Sequence, residues 1–184
     1  YDKENKKTVI FRFVSWEASH DIGKAGLSYQ HKIALINEVK QYANIWISSE
    51  NELPQELEKY RYPLPPETIH HALAFCDLFV GESATMASEC AVLGTPSIYI
   101  NILELGYINE QDEKYNLVYN FREPTGLIEK TIEILNNTDK NKSYYQLQQK
   151  KLLEDNIDLT DFMINFIENY PQSKHKYFQE VNKC

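Results

Sequence analysis

The sequence predicts an α/β fold in which a mostly parallel sheet is covered by helices on both faces. Two observations carry this. First, short runs of β-branched and aromatic residues alternate with segments of helical spacing. Their order is strand, helix, strand, helix, strand, helix, strand, strand, helix. Second, the strands read as buried apolar runs, as expected when both faces of a parallel sheet are covered.

The elements follow in order. Thr8–Trp16 (Thr-Val-Ile-Phe-Arg-Phe-Val-Ser-Trp) is the first strand, because β-branched and aromatic side chains dominate it. Ser28–Ala43 has Ile33, Ile36, Val39 and Ala43 at helical spacing. Asn44–Ser49, with Ile45, Trp46 and Ile47, is the second strand. Leu53–Pro66 carries Pro54, Pro63, Pro65 and Pro66 and reads as a loop, with room for a helical turn at Gln55–Tyr60. Pro66 and Glu67 open a helix whose inner face is Ile69, Leu73 and Cys76. Asp77–Val80 is the third strand. Ser83–Leu93 is a helix that turns Met86, Cys90 and Leu93 inward; Gly94 stops it and Pro96 prevents its resumption.

Ser97–Ile100 and Asn116–Phe121 are the fourth and fifth strands. Residues 101–115 read as a polar, mobile loop. Pro124 opens a helix with Ile128, Ile132 and Leu135 on one face, and a polar break comes after it at Asn136–Ser143. The tail holds two more helices. The last, Asp158–Tyr170, has Phe162, Phe166 and Tyr170 on the face expected to meet the body of the domain, and Pro171 ends it.

Composition excludes several function classes. The 184 residues carry 27 acidic and 19 basic side chains, a net charge of −8. Neither half is basic, since residues 1–92 and 93–184 each carry −4. Sequence-general binding to duplex nucleic acid needs a phosphate-neutralising stripe, and none is present. No apolar run approaches the roughly 18–20 residues of a membrane span. Cys76, Cys90 and Cys184 are scattered and lack zinc-ligand spacing, and the first two read as reduced core thiols of a cytoplasmic protein. His70 and His71 are adjacent rather than at i, i+4, so they read as structural or solvated and no metal site is expected. The chain opens on Tyr1 and a charged stretch at once followed by an apolar strand, which reads as a piece cut from a longer protein.

Ligands of such folds bind beyond the carboxyl ends of the strands, at helix N-termini. The sharpest candidate is Phe79-Val-Gly-Glu-Ser-Ala-Thr-Met-Ala-Ser-Glu-Cys-Ala-Val-Leu-Gly-Thr-Pro-Ser-Ile-Tyr-Ile100: strand, tight turn at Gly81, helix, stop, strand. Small residues at Ser83, Ala84 and Thr85 leave backbone N–H groups open to an anion such as phosphate or diphosphate. Glu89 lies one turn beyond Thr85 and could accept hydrogen bonds from a ribose diol. The same spacing fits Ser83 as a plain helix cap and Glu89 as a solvated residue. In the loop after the first strand, Glu17, His20 and Asp21 could do acid–base or hydrogen-bonding work; equally, His20 could be a surface residue and Asp21 a turn former. Glu82 and Asn101 complete the polar residues at these strand ends, and Glu82 counts against anion binding unless it turns away.

Four segments together resemble a known family. They are Phe11-Arg-Phe-Val-Ser-Trp-Glu-Ala-Ser-His-Asp-Ile-Gly, Ile45-Trp-Ile-Ser-Ser-Glu50, Gly81-Glu-Ser-Ala-Thr-Met-Ala-Ser-Glu89 and Leu93-Gly-Thr-Pro96. The set is similar to the bacterial and archaeal family called domain of unknown function 354, which in turn resembles UDP-N-acetylglucosamine 2-epimerases and other two-domain GT-B proteins. The resemblance implies a Rossmann-like three-layer sandwich of the GT-B C-terminal-domain type, with the N-terminal domain missing. It implies a linker at 1–7, a nucleotide-sugar-binding domain at 8–142 and a helical extension at 143–184 packing on it.

In the epimerases a serine followed by two glycines holds the diphosphate, and a glutamate six positions on holds the ribose. Ser83 and Glu89 keep that spacing, whereas Ala84 and Thr85 replace the glycines and narrow the turn. His20 takes the place of a catalytic-loop histidine, and Tyr62–Pro66 that of the loop against the base. Retaining GT-B transferases often have two glutamates with seven residues between them; Glu82 and Glu89 have six, so that motif is not met. The resemblance thus implies a UDP-sugar as partner, in an epimerase or glycosyltransferase of surface polysaccharide synthesis that is inactive as this fragment. No separate cofactor is implied, and a homodimer is admitted. The alternative is a non-catalytic module that binds a nucleotide-sugar.

Overall fold

The computed structural model describes residues 7–14 and 26–181, with side chains to Tyr177. Five parallel strands form one sheet: β1 (Lys7–Phe13), β2 (Ala43–Ser49), β3 (Leu78–Gly81), β4 (Ser97–Ile100) and β5 (Val118–Phe121). Their spatial order is β2-β1-β3-β4-β5. Residues Val9, Ile45 and Leu78 stand side by side across the first three strands, as do Arg12, Ser48 and Gly81 nearer their carboxyl ends. From β1, an inner strand, the chain adds β2 on one side, then crosses back to build the other side. That reversal, between β1 and β3, opens a crevice at the carboxyl ends of the strands.

Alternation along the strands feeds two cores. On one face Val9, Phe11, Ile47, Val80 and Ile98 meet Leu35, Ile36 and Val39 of α1 (Tyr29–Val39) and Ile134 and Leu135 of α5 (Leu127–Asp155). On the other, Ile10, Phe79 and Tyr99 meet Leu73 of α2 (Ile69–Phe75), Ala87, Cys90 and Ala91 of α3 (Ala84–Leu93) and Ile108 of α4 (Gly106–Glu113). This is the Rossmann-like three-layer sandwich that the sequence predicts.

Helix ends obey local chemistry. The Ser28 and Ser83 hydroxyls cap α1 and α3. Gly94, at φ 81°, closes α3 in the left-handed conformation that a side chain disfavours.

Three readings need correction. Residues 101–115 are not a mobile loop, since they contain α4, anchored by the fully buried Ile108 and followed by the buried Tyr115. The polar stretch 136–143 does not break the helix either; α5 runs through it. Thr131 and Thr138 donate their hydroxyl protons to the carbonyls of Leu127 and Ile134, four residues back, and so satisfy themselves on the helix. Pro171 does end a helix, α6 (Leu159–Glu168), but a further helix, α7 (Gln172–Val181), comes after it.

The chain divides into two compact units between Leu152 and Leu153. In the second, Phe162 and Phe166 of α6 set their rings 5.8 and 6.4 Å from that of Tyr177 on α7. Met163 and Ile167 of α6 are exposed.

Candidate functional site

Of the candidate residues, Ser83, Ala84, Thr85 and Glu89 come together on the α3 segment that follows the carboxyl end of β3. Gly81 brings β3 close to β1. An added Cβ would lie 2.8 Å from Cζ of Phe79 and 2.9 Å from both Cβ and the carbonyl oxygen of Arg12. The glycine is therefore required by this close approach, and not by the tight turn that its place in the sequence suggests.

Glu82 comes next, and its placement differs from that of a cleft carboxylate. The side chain is wholly buried. Its Oε2 accepts from the Val14 N–H at 3.0 Å and its Oε1 from the Leu27 N–H at 2.6 Å. The Lys32 ammonium stands 3.4 Å from Oε2. The negative charge is thus turned inward and paired, which removes the objection to an anion at the neighbouring helix.

Ser83 caps α3, and its hydroxyl accepts from the Met86 N–H at 3.4 Å. The N–H groups of Ala84 and Thr85, in the first turn, have no acceptor within the helix. Thr85 is exposed, while Ser83 and Ala84 are half-buried. An anion arriving here would meet these groups and the positive end of the helix dipole.

One turn on, Glu89 does not stand alone. His70 of α2 places its Nε2 3.2 Å from Glu89 Oε2, so the histidine read as structural or solvated is the partner of the candidate ribose carboxylate. Asn101 is buried, and its polar atoms serve the backbone: Nδ2 donates to the Glu82 carbonyl at 3.4 Å and Oδ1 accepts from the Leu103 N–H at 3.0 Å. Glu17, His20 and Asp21 lie outside the described residues, which resume at residue 26.

Beside the α3 N-terminus is a cavity of about 400 Å³, lined by Arg12, Ser48, Arg61, Tyr62, Leu64 and Met86 among others. Sequence reasoning passed over the two arginines. Arg12 donates from Nη1 to the Ser48 hydroxyl at 2.8 Å and from Nη2 to Glu50 at 2.6 Å, while its Nε is buried with no hydrogen-bond partner among the described residues. Arg61 forms a fork with Glu58, and that hydrogen bond holds the Glu58 carboxyl below its ordinary pKa. The Tyr62 N–H donates to the Ile47 carbonyl at 2.9 Å, which clips the 60–62 segment to the edge of β2. The signal for Arg12 was an arginine inside an otherwise apolar strand. That is costly to bury unless paired, and so points to a site or a bridge.

The buried thiols take no part. Burial pushes the Cys76 thiol up to about 12 and that of Cys90 well above its ordinary value, so both stay protonated and unreactive. Among the described residues no cluster of His, Cys, Asp and Glu could hold a metal ion, and no helix is long and apolar enough to cross a membrane.

Comparison with known proteins places this geometry in a fold. No family model matches the chain, and no curated protein matches it. Solved structures do match. One is a Listeria monocytogenes protein assigned as a UDP-N-acetylglucosamine 2-epimerase, with a TM-score of 0.51 and 12% identity over 77% of this chain and 40% of that one. Another is the glycosyltransferase of kitacinnamycin, with a TM-score of 0.52 and 12% identity over 80% of this chain and 39% of that one. The fold is of the GT-B kind. The chain spans about two fifths of the length of these neighbours. At such identity the likeness shows the fold alone, and with no matching family model it does not extend to domain of unknown function 354.

Proposed function

We propose that the chain is the nucleotide-sugar-binding half of a GT-B-type protein, and that the complete protein uses a UDP-sugar in epimerisation or glycosyl transfer during surface polysaccharide synthesis. One observation carries the reading. The Ser83-capped N-terminus of α3 opens beside a cavity that holds two arginines, at the strand ends where this fold class binds ligands.

In this reading the N–H groups of Ala84 and Thr85, with Ser83, hold the diphosphate. The base lies in the cavity against Tyr62–Pro66, where Tyr62, Leu64 and Pro66 all contribute to the lining. Glu89 accepts from the ribose hydroxyls, and to do so it gives up or shares its contact with His70. His20 approaches the phosphate or assists proton transfer. The family resemblance of the four motif segments supports the same assignment, as does the assignment of one structural neighbour as an epimerase. A cytoplasmic location accords with a nucleotide-sugar as ligand.

The test is a thermal-shift screen with UDP, UDP-N-acetylglucosamine, and GDP- and CDP-sugars. A ligand present at roughly 100 times its dissociation constant stabilises by about 2.7 kcal/mol. A selective response to UDP ligands supports the reading, and no response to any nucleotide refutes it. Turnover of UDP-N-acetylglucosamine by the complete protein then separates an enzyme from a module that only binds.

A further inference from the structure

We infer that Glu82 is a positioning residue: its buried carboxylate fastens the end of β1, at Val14, and the approach to α1, at Leu27, to the residue that precedes the α3 cap. Val14 and Leu27 donate to the two oxygens of this one group, at 3.0 and 2.6 Å. Two oxygens on one carbon bring these N–H groups within a few ångströms of each other, although residues 15–26 lie between them. The chain therefore leaves β1 and returns to α1 at a single point. The two charge-assisted hydrogen bonds oppose the entropy lost in holding these two backbone points together.

The backbone of Glu82 joins two more elements at the same point. Its N–H donates to the Arg12 carbonyl at 3.0 Å, and its carbonyl accepts from Asn101 Nδ2 at 3.4 Å. The next residue is Ser83, the cap of α3. One residue thus sets where β1 ends, where α3 begins, and where the chain leaves β4 at Asn101. Lys32 completes the arrangement. Its ammonium lies 3.4 Å from Glu82 Oε2 and 4.6 Å from the centre of the Phe13 ring. It neutralises a carboxylate that would otherwise repel an anion from the adjacent helix N-terminus.

The fastening stands on its own geometry. Its consequence, that ligand affinity depends on Glu82, rests on the nucleotide reading above. Two measurements keep the two apart: hydrogen exchange at single amides, and UDP affinity by calorimetry. Glu82→Gln keeps the shape but offers only one acceptor oxygen. It should speed exchange at the Val14 and Leu27 amides by about tenfold or more while the Val80 and Ile98 amides of the central strands stay within about twofold. UDP affinity should fall by about tenfold, as a mispositioned site loses preorganisation.

Unchanged exchange at Val14 and Leu27 overturns the inference. So does an equal rise at all four amides, which marks a merely global loss of stability. Accelerated local exchange with unaltered UDP affinity also overturns the positioning role. If the wild type binds no UDP, the nucleotide reading fails, while the exchange data still decide the fastening. Should Glu82→Gln not fold, exchange in the wild type decides the fastening, since Val14 and Leu27 amides that exchange as fast as free peptide overturn it, and Lys32→Met tests the charge. It leaves both acceptor oxygens and removes only the neutralising charge, so UDP should weaken while Val14 and Leu27 stay protected; equal UDP binding there overturns the charge argument.

Discussion

Replacing Gly81 by alanine tests how closely the sheet and the site depend on each other. The new methyl would sit 2.8 Å from Phe79 Cζ and 2.9 Å from the Cβ and carbonyl oxygen of Arg12. Contacts this short must be relieved by movement. Phe79 is fully buried against the α2–α3 face and has little room to turn. The Arg12 contact includes backbone in β1, the middle of the β2-β1-β3 half of the sheet. Relief therefore means separating β3 from β1 near their carboxyl ends, and overpacking of this kind costs about 1–3 kcal/mol. For a chain of this size each kcal/mol lowers Tm by about 2–4 °C, so Tm should fall by about 2–12 °C. The same movement displaces Arg12, which lines the cavity, and Glu82, the next residue along. UDP affinity should fall further than the loss of folded protein explains. Thermal unfolding and calorimetry on the same preparation measure both. An alanine variant with unchanged Tm and unchanged UDP affinity would refute the reasoning.

Burial and contact geometry elsewhere lead to other predictions. Glu89→Ala should weaken UDP by about 1–3 kcal/mol through lost charge-assisted hydrogen bonds, and inorganic phosphate far less; equal losses for both ligands in calorimetry would sink the ribose assignment. Ile108→Ala should destabilise the protein by about 2–5 kcal/mol in urea unfolding, because Ile108 is a fully buried anchor of α4; a negligible change would return residues 101–115 to the status of a loop. The Cys76 thiol, raised by burial from an ordinary value of 9.0 to about 12, keeps its proton in the folded protein where the unfolded chain releases it. Its contribution to stability is therefore whole below about pH 9 and is lost as pH rises towards 12, at about 1.4 kcal/mol per pH unit. Urea unfolding between pH 8 and 11, with and without Cys76→Ala, measures that slope. Thiol reagents should leave Cys76 and Cys90 unmodified at pH 8 until the protein unfolds.

The candidate site was legible in part. Ser83, Gly94 and Pro96 announce α3 with local signals, because capping and left-handed turns are decided by residues within one helical turn. Arg12 and Arg61 were not picked out. Their common cavity forms only when β1 lies beside β2 and the 60–62 segment clips to the sheet edge. The carboxylates show the same limit. Glu82 and Glu89 look alike in sequence, yet one is wholly buried on two backbone N–H groups and the other is a third exposed beside His70.

Short-range pattern is enough to dictate the layers. Runs such as Thr-Val-Ile-Phe and Leu-Phe-Val must be buried on both sides, helices of the right spacing must cover them, and strands alternating with helices must be mostly parallel. Where distant residues meet is settled by packing. The order β2-β1-β3-β4-β5, the continuity of α5 through its polar stretch and the inward turn of Glu82 each depend on partners far away in the chain. A side chain's type states which bonds it needs, whereas the packing of elements separated by tens of residues determines which groups come within 3 Å to supply them.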